Sequence, residues 1–227
     1  MRANTREVGP LAIAANASAS YPVNIHVEPQ TEPRNKMTVA FRIILAIPHA
    51  LLVGGFVAFG SFFSWRNQYL GMGDFGVLGA VAGICAVISW FAILFANQHP
   101  EGLRNLGLMF LRWRVRAVTY MALYRDDYPP FGDADYPATL EITPVEFPRD
   151  KVSVGLRLLY ALPHWIVLFF LGIAWALTSI VAWFAILFTG EYPQGLYNFG
   201  IGVFRWQTRV VAYTLLLVDE YPPFSLE

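Results

Sequence analysis

Two clusters of arginine and tryptophan carry the residue types best suited to bind anionic groups. In each cluster an Arg-Trp pair is followed by a second arginine, four residues after the first. Near a membrane surface each basic residue adds about 1 kcal/mol of attraction to anionic lipid headgroups. The pattern predicts contact with headgroups or with a partner, although basic residues that only anchor a helix and fix its orientation are the favoured alternative. The six residues are Arg112, Trp113, Arg116, Arg205, Trp206 and Arg209.

A proline followed by a histidine occurs twice inside an apolar run, as Pro48-His49 and Pro163-His164. Proline in a helix leaves one backbone carbonyl without its hydrogen bond, and the neighbouring histidine could bond that carbonyl, titrate or bind a metal. Two histidines are too few for a metal site, which usually has three or four protein ligands. We therefore interpret these residues as a structural kink with a partnered histidine, and we predict no metal site.

Adjacent acids stand at two places, Asp126-Asp127 and Asp219-Glu220. Paired carboxylates serve as general acid and base in many enzymes, but adjacent positions in a chain rarely converge on one substrate. We expect these acids to pair with nearby arginines instead. The sequence shows no phosphate-binding glycine loop, no metal-binding spacing of cysteine and histidine, and no nucleophile elbow. No catalytic residue and no cofactor are predicted.

The elements that must position these residues form a tandem repeat. The segment 21–49 recurs after 115 residues, and the segment 90–131 recurs after 93 residues. Because the offsets differ by 22, the first copy contains an insertion of 22 residues between Pro48 and Trp90. We predict a flexible tail over residues 1–20, a first repeat over 21–131 and a second repeat over 132–227.

Four repeated motifs carry a resemblance to a known family. In the second copy they are RLLYALPH (157–164), WFAILFTGEYPQGL (183–196), RWQTRVVAY (205–213) and DEYPPF (219–224). The chain resembles a bacterial membrane family, the domain of unknown function numbered 4389, over about residues 21–224 in two copies. The first copy departs from the pattern at residues 96–99. The resemblance implies a membrane protein and brings no established activity with it.

The composition independently indicates a membrane protein. Hydrophobic residues make up 56% of the chain and charged residues 14%, whereas about a quarter of the residues of a soluble domain are charged. The formal net charge is zero, which argues against nucleic acid, since proteins that bind it carry a basic excess. The predicted partners are membrane lipids, with other membrane proteins as further candidates.

Apolar runs predict the membrane spans. The runs from Val39 to Phe63 and from Phe75 to Phe95 are each near the 20 residues that a helix needs to cross a bilayer, so they predict a transmembrane hairpin. Residues 157–190 form one apolar run, which as a single helix would be about 50 Å long. We favour a hairpin of two short spans that turns near Gly172, because repeats should share topology, with Arg157 snorkelling to the interface. One long tilted helix is the alternative.

Each predicted hairpin is followed by an amphipathic segment, 103–124 or 196–218, that we place in the membrane interface because its arginines disfavour a span. Alternating residues at Val23 to Val27 and at Thr139 to Ile142 predict short strands that could pair with each other. The predicted fold is an all-α membrane protein of two tandem repeats. Each repeat comprises a transmembrane helical hairpin and an interfacial helix, with short N-terminal strands.

Basic residues lie almost entirely on one side of this four-span arrangement, which makes that side, with both termini, cytoplasmic. The leading functional hypothesis is a non-enzymatic accessory or scaffold protein in the cytoplasmic membrane of a bacterium. The alternative is lipid or small-solute transport, or lipid binding, with the repeats as two halves. A membrane enzyme is the third hypothesis, and it would require His49, His164 and acids to meet in one buried cluster.

Overall fold

The structure is a computed structural model that describes residues 21–30, 32–55, 75–132 and 134–227. The predicted tail over residues 1–20, the end of the first apolar run and nearly all of the insertion lie outside the described residues. In chain order the elements are β1 (Val23–Val27), α1 (Lys36–Ala40), α2 (Arg42–Val53), α3 (Gly76–Ala96), α4 (Glu101–Met121), β2 (Ala138–Ile142), α5 (Lys151–Gly155), α6 (Arg157–Thr189) and α7 (Gln194–Thr214).

The two strands form an antiparallel ribbon, which confirms the predicted strands and their pairing. Alternate residues of β1 are buried and the others are exposed, as the period of a strand requires. Ile25 lies opposite Leu140 at the centre of the ribbon, and these two residues are equivalent in the two repeats. The ribbon therefore joins equivalent strands symmetrically, one from each repeat.

The predicted hairpin over residues 157–190 is wrong, because α6 is a single helix of 33 residues. Gly172 lies inside the helix and is buried; one glycine in a helix interior costs only about 1 kcal/mol, too little to impose a turn. The helix ends instead at Gly190, which adopts a left-handed conformation (φ 83°) and donates its N–H to the carbonyl of Ile186. The length of the apolar run thus reflects one long helix.

The hairpin predicted for the first repeat is also wrong, because α3 begins beside the end of α2 and continues away from it: Trp90 of α3 reaches Val154, just before the start of α6, whereas Val39, before α2, lies against Trp183 near the other end of α6. A Cβ on Gly76 would lie 2.7 Å from the carbonyl oxygen of Leu52 and 2.5 Å from the backbone nitrogen of Gly54. The 12 residues of α2 and the 21 residues of α3 together match the 33 residues of α6. The first repeat therefore contains the same long helix in two pieces, separated by the insertion, and we call these two pieces the α2–α3 line.

The α2–α3 line and α6 run antiparallel. At one end the indole N–H of Trp183 donates to the carbonyl of Val39 at 3.0 Å. At the other end Trp90 donates to the carbonyl of Val154 at 2.9 Å. Trp90 and Trp183 are equivalent in the two repeats, as are Val39 and Val154, so each long helix ends against the short helix that precedes the other.

The returning helices α4 and α7 form the middle layer of the protein. Helix α4 packs against α2 and α3, α7 packs against α6, and the ribbon packs against α4 and α7. Their second halves are buried, with Phe110, Tyr120, Phe204 and Tyr213 among the largest enclosed side chains. The helices predicted after each apolar run are confirmed, whereas their placement in a membrane interface stays a prediction.

Candidate functional site

A buried arginine opens each long helix and binds the end of the helix that returns to it. Arg157 is 1% exposed, and its Nη1 donates to the carbonyls of Tyr213 and Val218 at 3.1 and 2.9 Å. The carbonyl of Tyr213 is in the last turn of α7 and also accepts from the N–H of Leu216, and the carbonyl of Val218 follows the helix. The guanidinium therefore holds the end of α7 and the segment after it against the start of α6. In the first repeat the same bonds run from Arg42 to the carbonyls of Tyr120 and Arg125 at 3.2 and 2.7 Å.

An aspartate completes each of these groups. Nη2 of Arg42 lies 2.5 Å from Oδ1 of Asp126, and Nη2 of Arg157 lies 2.5 Å from Oδ1 of Asp219. The prediction that the adjacent acids pair with nearby arginines is confirmed for Asp126, Asp127 and Asp219, whereas the carboxylate of Glu220 accepts from the backbone N–H of Asp219. The prediction that Arg157 snorkels to an interface is wrong, because its charge is neutralised inside the protein. We call each set of arginine, aspartate and two carbonyls an arginine clasp.

The second clasp contains a further arginine. Nε of Arg149 donates to both carboxylate oxygens of Asp219, at 2.9 and 2.8 Å. Partial burial alone would raise the pKa of Asp219, but hydrogen bonds from Arg149 and Arg157 outweigh it and lower the pKa below its ordinary value. The carboxylate therefore stays ionised within the clasp.

The two Pro-His motifs form a second repeated feature, in which three sequence motifs meet. His164 accepts a hydrogen bond at Nδ1 from the indole N–H of Trp206, at 3.1 Å. Its ring stacks on Phe224, with ring centres 4.1 Å apart, and lies 4.7 Å from Tyr221. We call this set a histidine cluster. The equivalent cluster of the first repeat comprises His49, Trp113, Tyr128 and Phe131, with an indole to Nδ1 distance of 3.1 Å.

Each histidine is bonded by tryptophan from the returning helix and not by the backbone that proline frees, and a kink at Pro48 and Pro163 stays a prediction. An Nδ1 that accepts a hydrogen bond carries no proton, so both imidazoles are neutral in this arrangement. His49 and His164 each lie in the cluster of their own repeat, and the structure does not bring them together. In the described ranges, no group of three or more His, Cys, Asp or Glu residues could hold a metal ion.

The predicted headgroup residues separate into an inner and an outer set. Trp206 is buried and Trp113 is half-buried, and both indole N–H groups are bonded to histidine, so the tryptophans belong to the interior. Arg112 is exposed and Arg205 is half-buried. The other two arginines lie near the protein's own groups: Arg116 donates to the carbonyl of Gly132, and the Arg209 guanidinium stands 5.6 Å from the ring centre of Tyr21. Contact of the arginines with lipid or a partner stays a prediction.

The long helices expose wide apolar faces. Helices α3 and α6 are long and apolar enough to cross a membrane, with mean hydropathies of 2.4 and 2.3. Only 22% of each apolar window is buried, unlike the core helix of a soluble protein. Every exposed residue of α6 from Leu158 to Phe188 is aliphatic, proline or aromatic.

An apolar groove of about 250 Å³ lies between α2 and α6. Met121 and Leu123, at the end of α4 and just after it, line the groove together with side chains of α2 and α6. The lining residues are Arg42, Ile43, Ala46, Met121, Leu123, Ala176, Ser179, Ile180, Trp183 and Phe184.

Comparison with known families identifies the repeat. Residues 73–132 and 151–225 both match the family model described as "Domain of unknown function (DUF4389)", and together they cover more than half of the chain. The chain belongs to the DUF4389 family. The two matches confirm the tandem repeat, and the first DUF4389 match begins at the end of the insertion. No curated protein and no solved structure matches the chain.

The clasps predict a large difference between two arginines of this DUF4389 chain. Arg157→Met removes the bonds to the carbonyls of Tyr213 and Val218 and leaves the partly buried carboxylate of Asp219 paired with Arg149 alone, so we expect a loss of about 3 kcal/mol in unfolding free energy. Arg125→Met removes a pair with Asp127, whose side chain is 54% exposed, and two long hydrogen bonds to the carbonyls of Glu28 and Pro29, and should cost only about 1 kcal/mol. Denaturant unfolding in detergent measures both, and similar losses would contradict the clasp.

The lowered pKa of Asp219 predicts how the clasp responds to acid. Such a carboxyl contributes stability that is fully present above its ordinary pKa of about 3.9 and is lost as the pH falls through the folded value. We expect Asp219→Asn to lower the melting temperature by a constant amount from about pH 7 to about pH 5, with the difference from wild type shrinking below about pH 4. A difference that is unchanged in strong acid would contradict the role of the carboxylate.

Proposed function

We propose that this protein is a non-catalytic accessory or scaffold protein, held in the cytoplasmic membrane by the exposed faces of α6 and of the α2–α3 line. The observation that carries the proposal is the continuous apolar surface of α6 between Leu158 and Phe188. A monomer in water rarely exposes an apolar patch larger than a few hundred Å². Lipid tails are a medium in which such a surface is stable, because they require no hydrogen bonds from it.

The use of the buried polar groups supports a non-catalytic role. The arginine clasps join the start of each long helix to the end of the returning helix. The histidine clusters join the middle of each long helix to the same returning helix. Because both features recur in both repeats at the same element junctions, they are best explained as devices that fix the architecture.

The remaining basic residues support a cytoplasmic orientation of the polar side of the protein, which is the side of the ribbon and of the exposed residues of α4 and α7. Arg112 is exposed and Arg205 is half-buried at the surface of the returning helices. The cytoplasmic leaflet is anionic, and basic residues are enriched on that side of membrane proteins. We therefore place the polar side and both termini in the cytoplasm, where the exposed arginines can meet headgroups or a partner protein.

Lipid binding is the second candidate, and the groove between α2 and α6 favours it. The groove is walled by apolar side chains from both repeats, including Ile43, Ala176 and Trp183. The guanidinium of Arg42 in its lining is already neutralised by Asp126. One acyl chain fits this chemistry better than a polar solute. Lipid identified by mass spectrometry in the purified protein, and lost on Ala176→Trp, would favour this candidate over the scaffold.

Vesicle flotation tests the membrane part of the proposal. Wild-type protein should float with phosphatidylcholine vesicles, whereas a variant with glutamate at Phe169, Phe170 and Ile173 should show at least about a tenfold lower bound fraction. The reason is that each of these side chains gains roughly 1.5 to 3 kcal/mol on leaving water. Glutamate at the three exposed polar positions Asn105, Thr139 and Asn198 is the matched control and should leave flotation unchanged. Wild-type protein that stays monodisperse in detergent-free buffer would contradict the proposal.

Photo-crosslinking in native membranes tests the scaffold part. A photoreactive residue at position 112 or 205 should give one discrete protein adduct, and the same residue at the lipid-facing position 169 should give none. The contrary result is a monomer without adducts from either arginine position. It would leave the membrane attachment standing and remove the scaffold role.

A further inference from the structure

The two repeats are related by an approximate two-fold axis that passes through the centre of the ribbon. Equivalent residues Ile25 and Leu140 lie opposite each other there, and the bonds from Trp90 to Val154 and from Trp183 to Val39 are equivalent to each other. The axis exchanges the α2–α3 line with α6, and these elements run antiparallel. A two-fold axis that reverses the direction of a helix must be close to perpendicular to it.

Two classes of placement in a bilayer are compatible with this symmetry. If the axis lies in the membrane plane, the repeats have inverted topology and the long helices can span the bilayer, as in many transporters. If the axis is parallel to the membrane normal, both long helices lie in the membrane plane and face the same leaflet. The ribbon, which lies on the axis, distinguishes the two classes.

An axis in the membrane plane would place the ribbon at the middle of the bilayer. Its outer face carries Asn24, His26, Thr139 and Glu141, all of which are exposed. A charged side chain at the bilayer centre costs about 2.5 to 3.5 kcal/mol. In the described part of the chain the ribbon has two strands, so its outer edges are also open, and open sheet edges do not occur in lipid. The ribbon therefore belongs on the water side.

The length of the apolar face supports the same placement. The exposed face of α6 from Leu158 to Phe188 is about 45 Å long at roughly 1.5 Å per residue, whereas the hydrocarbon core is about 30 Å thick. A spanning helix would have to tilt beyond the usual range of about 0 to 40° to bury that face. A helix lying in the plane buries the whole face without tilting.

The polar residues of α4 and α7 agree with an in-plane placement. Asn105, Arg112 and Asn198 are exposed. They would contact hydrocarbon if α4 and α7 crossed the bilayer together with α6 and the α2–α3 line. The equivalent lysines Lys36 and Lys151 are exposed at opposite ends of the protein. With the axis along the membrane normal, the two lysines share one depth, and the amino group of Lys36 donates to the carbonyl of Phe188 at that depth.

We infer that the protein is monotopic: the α2–α3 line and α6 lie side by side in one leaflet of a lipid bilayer, and the ribbon faces the cytoplasm. This inference rests on the membrane attachment proposed above and specifies its geometry. The apolar side chains of both long helices enter the boundary between headgroups and acyl chains, to a depth of about 5 to 10 Å as for other in-plane helices. The opposite leaflet is not crossed.

The depth of three labels on α6 tests the inference. The single cysteine of the chain, Cys85, is replaced by alanine, and a fluorophore is attached in separate variants at Leu158→Cys, Phe169→Cys and Phe188→Cys. The original side chains are 60%, 64% and 79% exposed, so labelling should preserve the fold. In vesicles of phosphatidylcholine and phosphatidylglycerol, lipids with spin labels at defined acyl positions quench each fluorophore according to its depth.

We expect the three labels to lie at one depth, within about 5 Å of each other. A label at position 169 near the bilayer centre, about 15 Å deep, with labels at 158 and 188 near opposite surfaces would overturn the in-plane placement and leave the membrane attachment intact. Three labels quenched only from water would instead remove the attachment itself. As a control, Thr139→Cys should react fully with a maleimide that cannot cross membranes, added to vesicles from the side on which the protein was bound.

Discussion

The structure depends on contacts that each repeat makes with the other: the pairing of their strands and the bonds from their tryptophans. Among the described residues, each strand pairs only with the equivalent strand of the other repeat. A two-stranded ribbon without further packing is marginally stable at best. Each long helix ends with a tryptophan bonded to a carbonyl of the opposite repeat. A single copy of the domain on its own would lose all of these contacts together.

This reciprocity also explains how the charged groups of an apolar protein are accommodated. Arg42 and Arg157 open the long helices, where an unpaired charge would be costly. Both are enclosed by carbonyls and an aspartate from the end of the returning helix and the segment that follows it. With these charges enclosed, the exposed faces of α2, α3 and α6 carry no ionised side chain among the residues that the structure describes. The same bonds that hold each long helix to its returning helix therefore make its outer surface compatible with lipid.

Several features could be predicted from the sequence, because residue periodicity, the constant offset between the copies and the positions of charges can be read from it directly. These features are the repeat, the paired strands, the existence of the returning helices and the pairing of Asp126 and Asp219 with arginine. The hairpins could not. Within the apolar run of α6, Gly172 and Ser179 lie well apart and form no cluster of turn residues. The repeats do share topology, but the insertion, which predicts a loop between two spans, instead interrupts one long helix. The histidine clusters are not evident from the sequence, because His164 and Trp206 are 42 residues apart. The one indication is that the Pro-His, Arg-Trp and Tyr-Pro-Pro-Phe motifs all recur together in both repeats.

The antiparallel course of the long helices is the claim on which both the fold and the membrane placement rest, and a pair of spin-label distances tests it most directly. Ile43 and Phe184 line the same groove, whereas Leu158 is 26 residues from Phe184 along α6, or about 39 Å. On a Cys85→Ala background, labels at positions 43 and 184 should be close, and labels at 43 and 158 should be about 40 Å apart. A short distance between 43 and 158 together with a long distance between 43 and 184 would show parallel helices and contradict the structure.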